Sequence, residues 1–544
     1  MIDSNLSATP SALPALAAAL GNSVVWQAPA DPLHAPIAAA DNFVTIVLSC
    51  EPENLPLVVR TLTEDADFRF AAIIPCEEGS SFIVAYWFYR SAGHLRVKLR
   101  VRVDAAAPTV PSISAIAHAA DWHERQAEDL FGLIFSSHPK LGDFVLHEQW
   151  REGVNPMRRQ FDHAPLATDA DPPMPWSPET ILETPGAFVM PIGPVYSDYA
   201  ESAQFFLETV GEDVVRMIPR FFYKYRAVEK LAEGQSIAQV LLKVERFSGT
   251  SAVAHAICFS QAVEQITAVD PPPRAQAIRL LLAELERIRH HLSVLSDVCH
   301  STGMIVPSAQ VDILEEQMLR LSCRIGGHRY LYGLVIPGGL RRNIEDDQLQ
   351  LLADEVQRLR SQAAELFSQL QFTSSFLDRF EGVGITPLEK TKNLGLVGPV
   401  ARASNLAGDL RIAMPYGYYH HIPAFPEALE TEGDGYARIR VLFHEIDSSA
   451  EIIRATALSI PPGEHALTAL TLAGGEALGA VEAPNGAAFH GVNLAPSGTV
   501  RRLALITPSF TNWHGFHLAA ENFAFQDFPI MMATFGLSMA ESDR

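Results

Sequence analysis

The segment Glu245–His255 reads Glu-Arg-Phe-Ser-Gly-Thr-Ser-Ala-Val-Ala-His. It gathers a cation, Arg246, two hydroxyls, Ser248 and Ser251, and an imidazole, His255, into one short stretch. Far along the chain, Asp527–Arg544 adds a third hydroxyl, Ser538, and a carboxylate, Glu541. Hydroxyl and carboxylate oxygens are hard donors, suited to hydrogen bonds and hard cations rather than to soft transition-metal centres. Imidazole is the side chain suited to relaying protons near neutral pH, so His255 is either a proton relay or a histidine satisfied within a core. A buried Glu541 would cost several kcal/mol unless an arginine, a proton or water compensated it. Arg402 and Arg411 are candidates to line the same cavity, or to pair with Asp409, Asp434 and Glu541. Arg226 and Glu229 stand three apart, which predicts one shared helix face. His290 and His291 read as residues of a helix face rather than as ligands.

Composition removes several classes of function. The chain of 544 residues carries a formal charge of −22, which leaves no basic excess for phosphates and argues against nucleic acid as a partner. The five cysteines, Cys50, Cys76, Cys258, Cys299 and Cys323, form no CxxC pair. A disulfide framework or a structural zinc site is therefore not expected, and a reducing compartment fits best. No apolar run reaches the roughly eighteen residues of a membrane span, and Phe528–Met539 is too short. No signal peptide is read at the N-terminus. No G-x-G-x-x-G follows a strand, so nothing points to a dinucleotide site.

With 48% hydrophobic and 19% charged residues, the chain is globular and long enough for two to four domains. Residues 1–40, rich in Ala and Pro, read as a flexible extension with a short helix over Ala15–Leu20. Residues 41–165 read as an α+β domain. Phe43–Cys50, Phe68–Pro75 and Ser81–Arg90 are strand-like, and Leu95–Val103 alternates apolar residues with Arg and Lys, predicting one polar face. A helix is expected from Ser114, as its N-cap, to Phe131, with Gly132 as its stop. Residues 166–189, with Pro172, Pro173 and Pro175, form a linker. From 190 onwards, Phe205–Gly211 and Val214–Pro219 predict a hairpin. A helix is expected to begin around Phe222. Arg274–Ser301, Val311–Tyr332 and Asp346–Phe372 carry apolar stripes at helical spacing and predict a bundle.

Two motifs, Glu124–Gly132 and Pro156-Met157-Arg158-Arg159-Gln160-Phe161-Asp162, resemble the signature of the 30-kDa subunit of complex I. Its domain docks other subunits, so Glu124, Arg125, Glu128 and Asp129 are either a solvated face or contacts within or between chains. The remainder resembles the complex I 49-kDa subunit and nickel–iron hydrogenase large subunits of the hydrogenase-4 and formate-hydrogenlyase type. Arg246-x-Ser248-Gly249-x-Ser251 stands where that family carries Arg-x-Cys-Gly-x-Cys. Ser538-x-x-Glu541-x-x-Arg544 stands where it carries Cys-x-x-Cys-x-x-Arg. Phe222–Glu233 resembles the motif containing Arg226 and Glu229. Gly398–Ser404, with Arg402, and Glu482–Gly486, with Asn485 in place of an arginine, follow in the family's order.

The resemblance implies an α+β fold: an N-terminal α+β docking domain, then a large, mostly helical hydrogenase-large-subunit-like domain with small β elements. It implies an oxidoreductase subunit peripheral to the cytoplasmic side of the inner membrane. Its partners would be a small subunit bearing a 4Fe-4S cluster, a ferredoxin-like subunit and complex I-type membrane subunits. Since the four thiolate positions hold Ser248, Ser251, Ser538 and Glu541, no metal and no directly bound cofactor are expected. The vacated cavity, with Arg226, Arg246, Arg402 and Asn485, is a candidate pocket for a quinone or similar acceptor. Tyr196, Glu229 and His255 are the candidate catalytic residues there. A silent scaffold that couples the arm to an ion-translocating module is the alternative.

Overall fold

The computed structural model describes residues 20–27, 44–92, 94–151, 153–161, 176–195, 201–521 and 523–544. The chain divides into two compact units. The first lies mainly within Asp41–Ser177 and the second within Pro178–Lys392 and Leu396–Arg544.

The first unit is a five-stranded sheet of β1 (Val25–Gln27), β2 (Val44–Cys50), β3 (Arg69–Glu78), β4 (Ser81–Arg90) and β5 (Leu95–Asp104), in the order β1-β2-β5-β4-β3. β2 and β5 run parallel and the other neighbours antiparallel. β5 lies between β2 and β4, and its expected polar face is partly covered: Arg96 and Lys98 are 3% and 4% exposed. The Lys98 ammonium sits 5.4 Å from the centre of the Trp87 ring, with the long side chain laid along the sheet.

The helix predicted from Ser114 starts later. A 3-10 turn at His118–Ala120 leads into α1 (Asp121–Phe131), which ends at Gly132 in the left-handed region (φ 72°). Ser112 and Ser114 do not cap it. Instead, the Ser112 hydroxyl and the Ile113 amide donate to the buried Glu124 carboxylate at 2.6 and 2.7 Å. The acidic residues of α1 act within the unit. Asp129 Oδ2 accepts the amides of Phe144, Val145 and Leu146 at 2.9, 2.6 and 3.0 Å, and Glu128 accepts that of Gly142 at 3.0 Å. The α1 motif is thus a clamp on the loop that follows it.

The second unit begins with an antiparallel sheet of β6 (Ala187–Ile192), β7 (Gln204–Val210) and β8 (Asp213–Arg220). β7 and β8 form the predicted hairpin, and β6 starts inside the stretch read as linker. Two short helices, α2 (Val228–Ala232) and α3 (Ile237–Val244), lead to α4 (Ala252–Thr267) and α5 (Pro273–Ser301). α5 is the centre of the bundle. It is buried on nearly every side and packs against α6 (Ile305–Gly326) and α9 (Gly435–Leu458), while α7 (Asp346–Leu370) packs on α6 and α9. The short helix α8 (Gly398–Ala403) abuts α9.

A second antiparallel sheet, β9 (Gly475–Ala483), β10 (Gly486–Leu494) and β11 (Val500–Ile506), lies against α4. The approach is so close that a Cβ on Gly479 would stand 2.0 Å from the Cys258 carbonyl oxygen. The chain closes with α10 (Pro508–Ala519), α11 (Phe528–Phe535) and α12 (Met539–Asp543). Among the described residues no helix is long and apolar enough to cross a membrane.

Candidate functional site at the Ser248–Glu541 junction

Four elements converge on Glu541. α12 presents the carboxylate, because Ser538 at its N-cap accepts the Glu541 amide at 3.1 Å and so fixes the first turn. α4 brings His255, the β9–β10 turn brings Asn485, and the start of α10 brings Ser509. His255 Nε2 donates to Glu541 Oε1 at 2.9 Å. Asn485 Nδ2 donates to Oε2 at 2.9 Å, and the Ser509 hydroxyl donates to the same oxygen. Burial by itself would raise this carboxyl, yet the donors His255, Ser509 and Asn485 hold it below the ordinary glutamate range. Among the described residues no arginine contacts Glu541, and these three donors stand where a guanidinium was one of the expected options.

Behind His255 stands His490 on β10. The two rings are nearly parallel, 9° apart, and His255 Nδ1 lies 3.0 Å from His490 Nε2. With Glu541 ionised, His255 gives its Nε2 proton to the carboxylate, and Nδ1 accepts from His490 Nε2. His490 Nδ1 is then a buried nitrogen with no hydrogen-bond partner. Burial, aided by His255 and Arg544, pushes the His490 imidazole well below its usual range. The result is a chain Glu541–His255–His490 that could pass a proton by a change of tautomer.

The other positions fall around this chain. Ser248 and Ser251 are buried at the start of α4, with the Ser248 hydroxyl 2.7 Å from that of Thr250. The Phe247 ring lies 4.6 Å from His255, centre to centre. The Ser538 hydroxyl donates to Glu201 Oε2 at 2.9 Å, and the same oxygen accepts the Ala540 amide at 2.8 Å. Tyr196 lies outside the described residues.

Arg226 and Glu229 do not share a helix face. Ala227 has a positive φ of 52°, so α2 begins only at Val228 and Arg226 precedes it. Arg226 is exposed and donates to the Ala540 carbonyl, whereas Glu229 is buried. Glu229 accepts from Arg502 at 3.1 Å, the Leu505 amide at 2.7 Å and Arg544 at 3.4 Å. It therefore anchors the last residue of the chain. Asp543 does the same from the other side, accepting the amides of Phe222 and Lys224, each at 2.9 Å, and burial pushes its carboxyl up to about 6.

Arg246 also turns away from Glu541. It pairs with Glu245 and lies 5.0 Å from the centre of the Tyr332 ring. Arg402 belongs to a separate buried network. It meets Glu445 at 2.6 Å, Glu482 at 2.8 Å and Asp409 at 3.7 Å. Arg411 meets Asp409 at 2.6 Å and Glu284 at 3.0 Å, and Arg287 meets Glu284 at 3.4 Å and Glu445 at 3.6 Å. The pairing of Arg402 and Arg411 with Asp409 is one of the expected options, while Asp434 instead caps α9 by accepting the Ala437 amide at 2.8 Å. His291, expected on a helix face, is buried against Glu445 at 2.9 Å. Sequence motifs assign no role to Glu284, Arg287, His291, Glu445 and Glu482. The spacing of Glu284, Arg287 and His291 at i, i+3 and i+7 on α5 is the signal that marks them.

The Glu245–His255 and Asp527–Arg544 segments meet at one buried point, and the chain is similar to a fusion of two complex I subunits. Residues 48–166 match the family described as respiratory-chain NADH dehydrogenase, 30 Kd subunit, and residues 302–473 match the 49 Kd subunit family. Among characterised relatives, the chain is similar to formate hydrogenlyase subunit 5 of Escherichia coli, with 29% identity over 457 residues, 82% of this chain and 79% of that protein. Hydrogenase-4 component G of Escherichia coli is 28% identical over 455 residues, 82% of this chain and 78% of that protein. The C/D subunit of NADH-quinone oxidoreductase from Bdellovibrio bacteriovorus is 28% identical over 432 residues, 77% of this chain and 76% of that protein.

Proposed function

We propose that this chain is a peripheral-arm subunit of a membrane-bound, complex I-like or hydrogenase-4-like oxidoreductase, and that it carries no nickel–iron centre. Such a centre needs soft thiolates. The corresponding groups here are hard oxygens already committed to the protein: Ser248 to Thr250, Ser538 to Glu201, and Glu541 to His255, Asn485 and Ser509. The donor set does not fit the metal pair.

In this reading a neighbouring subunit supplies electrons from a 4Fe-4S cluster, and a quinone or similar acceptor takes them beside the former metal position. The reduction consumes two electrons and two protons per quinone. The observation that carries the reading is the Glu541–His255–His490 chain, an anion and two imidazoles that can hold and move a proton where a packed core would have none. Apolar side chains left in solvent at one end of the α6–α7 pair, Ile305, Val306 and Phe372 at 76%, 70% and 84% exposure, suit a subunit with partners. A ferredoxin-like subunit and complex I-type membrane subunits complete the assembly, on the cytoplasmic face of the inner membrane.

One observation favours the alternative, a silent scaffold that couples the arm to ion translocation. Ser251, His255 and Glu541 are fully buried, and the Phe247 ring lies against His255. The deciding experiment is reduction of a short-chain quinone by the detergent-purified native complex, with reduced ferredoxin and NADH as donors. Turnover that falls at least tenfold in Glu541→Gln supports acceptor chemistry at this position. An intact complex that reduces no quinone with either donor supports the scaffold.

A further inference from the structure

We propose that the buried ion network between α5, α8, α9 and the β9–β10 turn holds one exchangeable proton, and that Glu482 is the group that binds and releases it. Three guanidiniums, Arg287, Arg402 and Arg411, face four carboxylates, Glu284, Asp409, Glu445 and Glu482, and each of these residues is at most 3% exposed. With every carboxylate ionised, the cluster has one negative charge too many. An uncompensated charge at that depth costs several kcal/mol, so a proton belongs inside the cluster.

The contacts say where. Glu284 has two guanidiniums, at 3.0 and 3.4 Å, as well as the Ser449 hydroxyl at 2.6 Å and the Tyr419 hydroxyl. Asp409 has Arg411 at 2.6 Å and Arg402 at 3.7 Å. Glu445 has Arg402 at 2.6 Å, Arg287 at 3.6 Å and the His291 imidazole at 2.9 Å. Glu482 is the least compensated, with one guanidinium, Arg402 at 2.8 Å, and one amide, Leu410 at 3.1 Å. The groups that face it are Arg402 from α8, Asp409 and the Leu410 amide from the turn after α8, Arg287 from α5, which donates to the Glu482 carbonyl at 2.7 Å, and Tyr416, whose hydroxyl accepts the Glu482 amide at 3.1 Å.

The electrostatics agree. Burial, followed by the charge of Asp409, pushes the Glu482 carboxyl up to about 7. Burial would likewise raise Glu284 and Glu445, but their guanidinium neighbours hold both below the ordinary range. Burial also lowers the His291 imidazole, which makes it the poorer proton holder.

The site has a structural reach of its own. Glu482 lies at the end of β9, and the turn that follows carries Asn485, whose amide holds Glu541 at 2.9 Å. Protonation of Glu482 loosens its charge-assisted bond to Arg402 and so slackens the turn that positions Glu541. This proton site depends on the fold of this chain alone, whatever the acceptor.

Infrared spectroscopy of the purified full-length chain, titrated from about pH 5 to about pH 9, tests it. The expected result is a buried carboxylic-acid stretch that titrates with a midpoint near 7, shifts in D2O, and is lost in Glu482→Gln. Glu124 and Asp543, whose carboxyls burial pushes up to about 8 and about 6, and Glu286, which burial also raises, contribute further bands, which Glu124→Gln, Asp543→Asn and Glu286→Gln identify. If Glu482→Gln does not fold, Glu482→Asp decides: the band must then change frequency. A wild-type chain with no neutral-range carboxylic-acid band beyond those of Glu124, Asp543 and Glu286 overturns the proposal. So does a band that is unchanged in either Glu482 variant.

Discussion

Glu541 is held by three donors on three different elements, so its removal is felt beyond one side chain. Glu541→Gln keeps the shape but replaces one accepting oxygen with a donor that faces His255 or the Asn485 and Ser509 groups. A loss of about 2 kcal/mol is expected, read from the urea unfolding of the full chain. The variant should also be less sensitive to acid. A carboxyl held below its free value stabilises the fold above about pH 4.5, and that stabilisation is lost as pH falls through the folded-state value. At this scale the sequence was informative about identity and poor on geometry. Ser248, Ser251, Ser538 and Glu541 could be named from their motif positions. That His255, rather than an arginine, would donate to Glu541 depended on α4 and α12 meeting in the fold.

At the scale of elements, the α1 motif is a clamp, and its strength can be measured. Asp129→Ala leaves the amides of Phe144, Val145 and Leu146 without their acceptor. The expected cost is about 1–3 kcal/mol. Limited proteolysis should show faster cleavage around Phe144, and unchanged cleavage would refute the clamp. The contact between α4 and the β9–β10–β11 sheet is tested by Gly479→Ala. The new methyl group meets the Cys258 carbonyl and must push helix and sheet apart, at a cost of about 1–3 kcal/mol in thermal unfolding. Strand limits such as Ser81–Arg90 were legible because alternation and turn residues are local signals. The start of α1 was not: Ser114 looked like a cap, but Ser112 and the Ile113 amide were drawn to Glu124 by tertiary packing. Arg226 misled for a similar reason, since the i, i+3 rule assumes a helix and Ala227 breaks it.

For the molecule as a whole, buried titratable groups set the pH profile. Glu124 and Glu482, raised to about 8 and about 7 from 4.5, resist ionisation in the fold, so their contribution is lost as pH rises from about 4.5 to about 8. His290 and His490, lowered by burial from 6.5, resist protonation, so theirs is lost as pH falls below about 6.5. Glu284, Glu445 and Glu541, held low, add a further loss below about 4.5. The expected melting profile is a plateau between about pH 4.5 and about pH 6.5, where the two opposing sets offset each other, with decline on both sides. A melting temperature that still climbs steadily from pH 6.5 to pH 8 would contradict this reading.

The sequence by itself determined the order of the motifs, the α+β unit ahead of a helical bundle, and the oxygen donors Ser248, Ser251, Ser538 and Glu541 in the two motif segments. Those are local or patterned properties, written in residue type and spacing. Only the tertiary structure decided which charges meet. Glu284 and Arg411, or Glu229 and Arg502, lie 127 and 273 residues apart in the chain, and no local rule pairs them. Burial then fixes their protonation, because the energy of a charge depends on what surrounds it, and what surrounds it is assembled only when α5, α9 and the β9–β10 turn pack together.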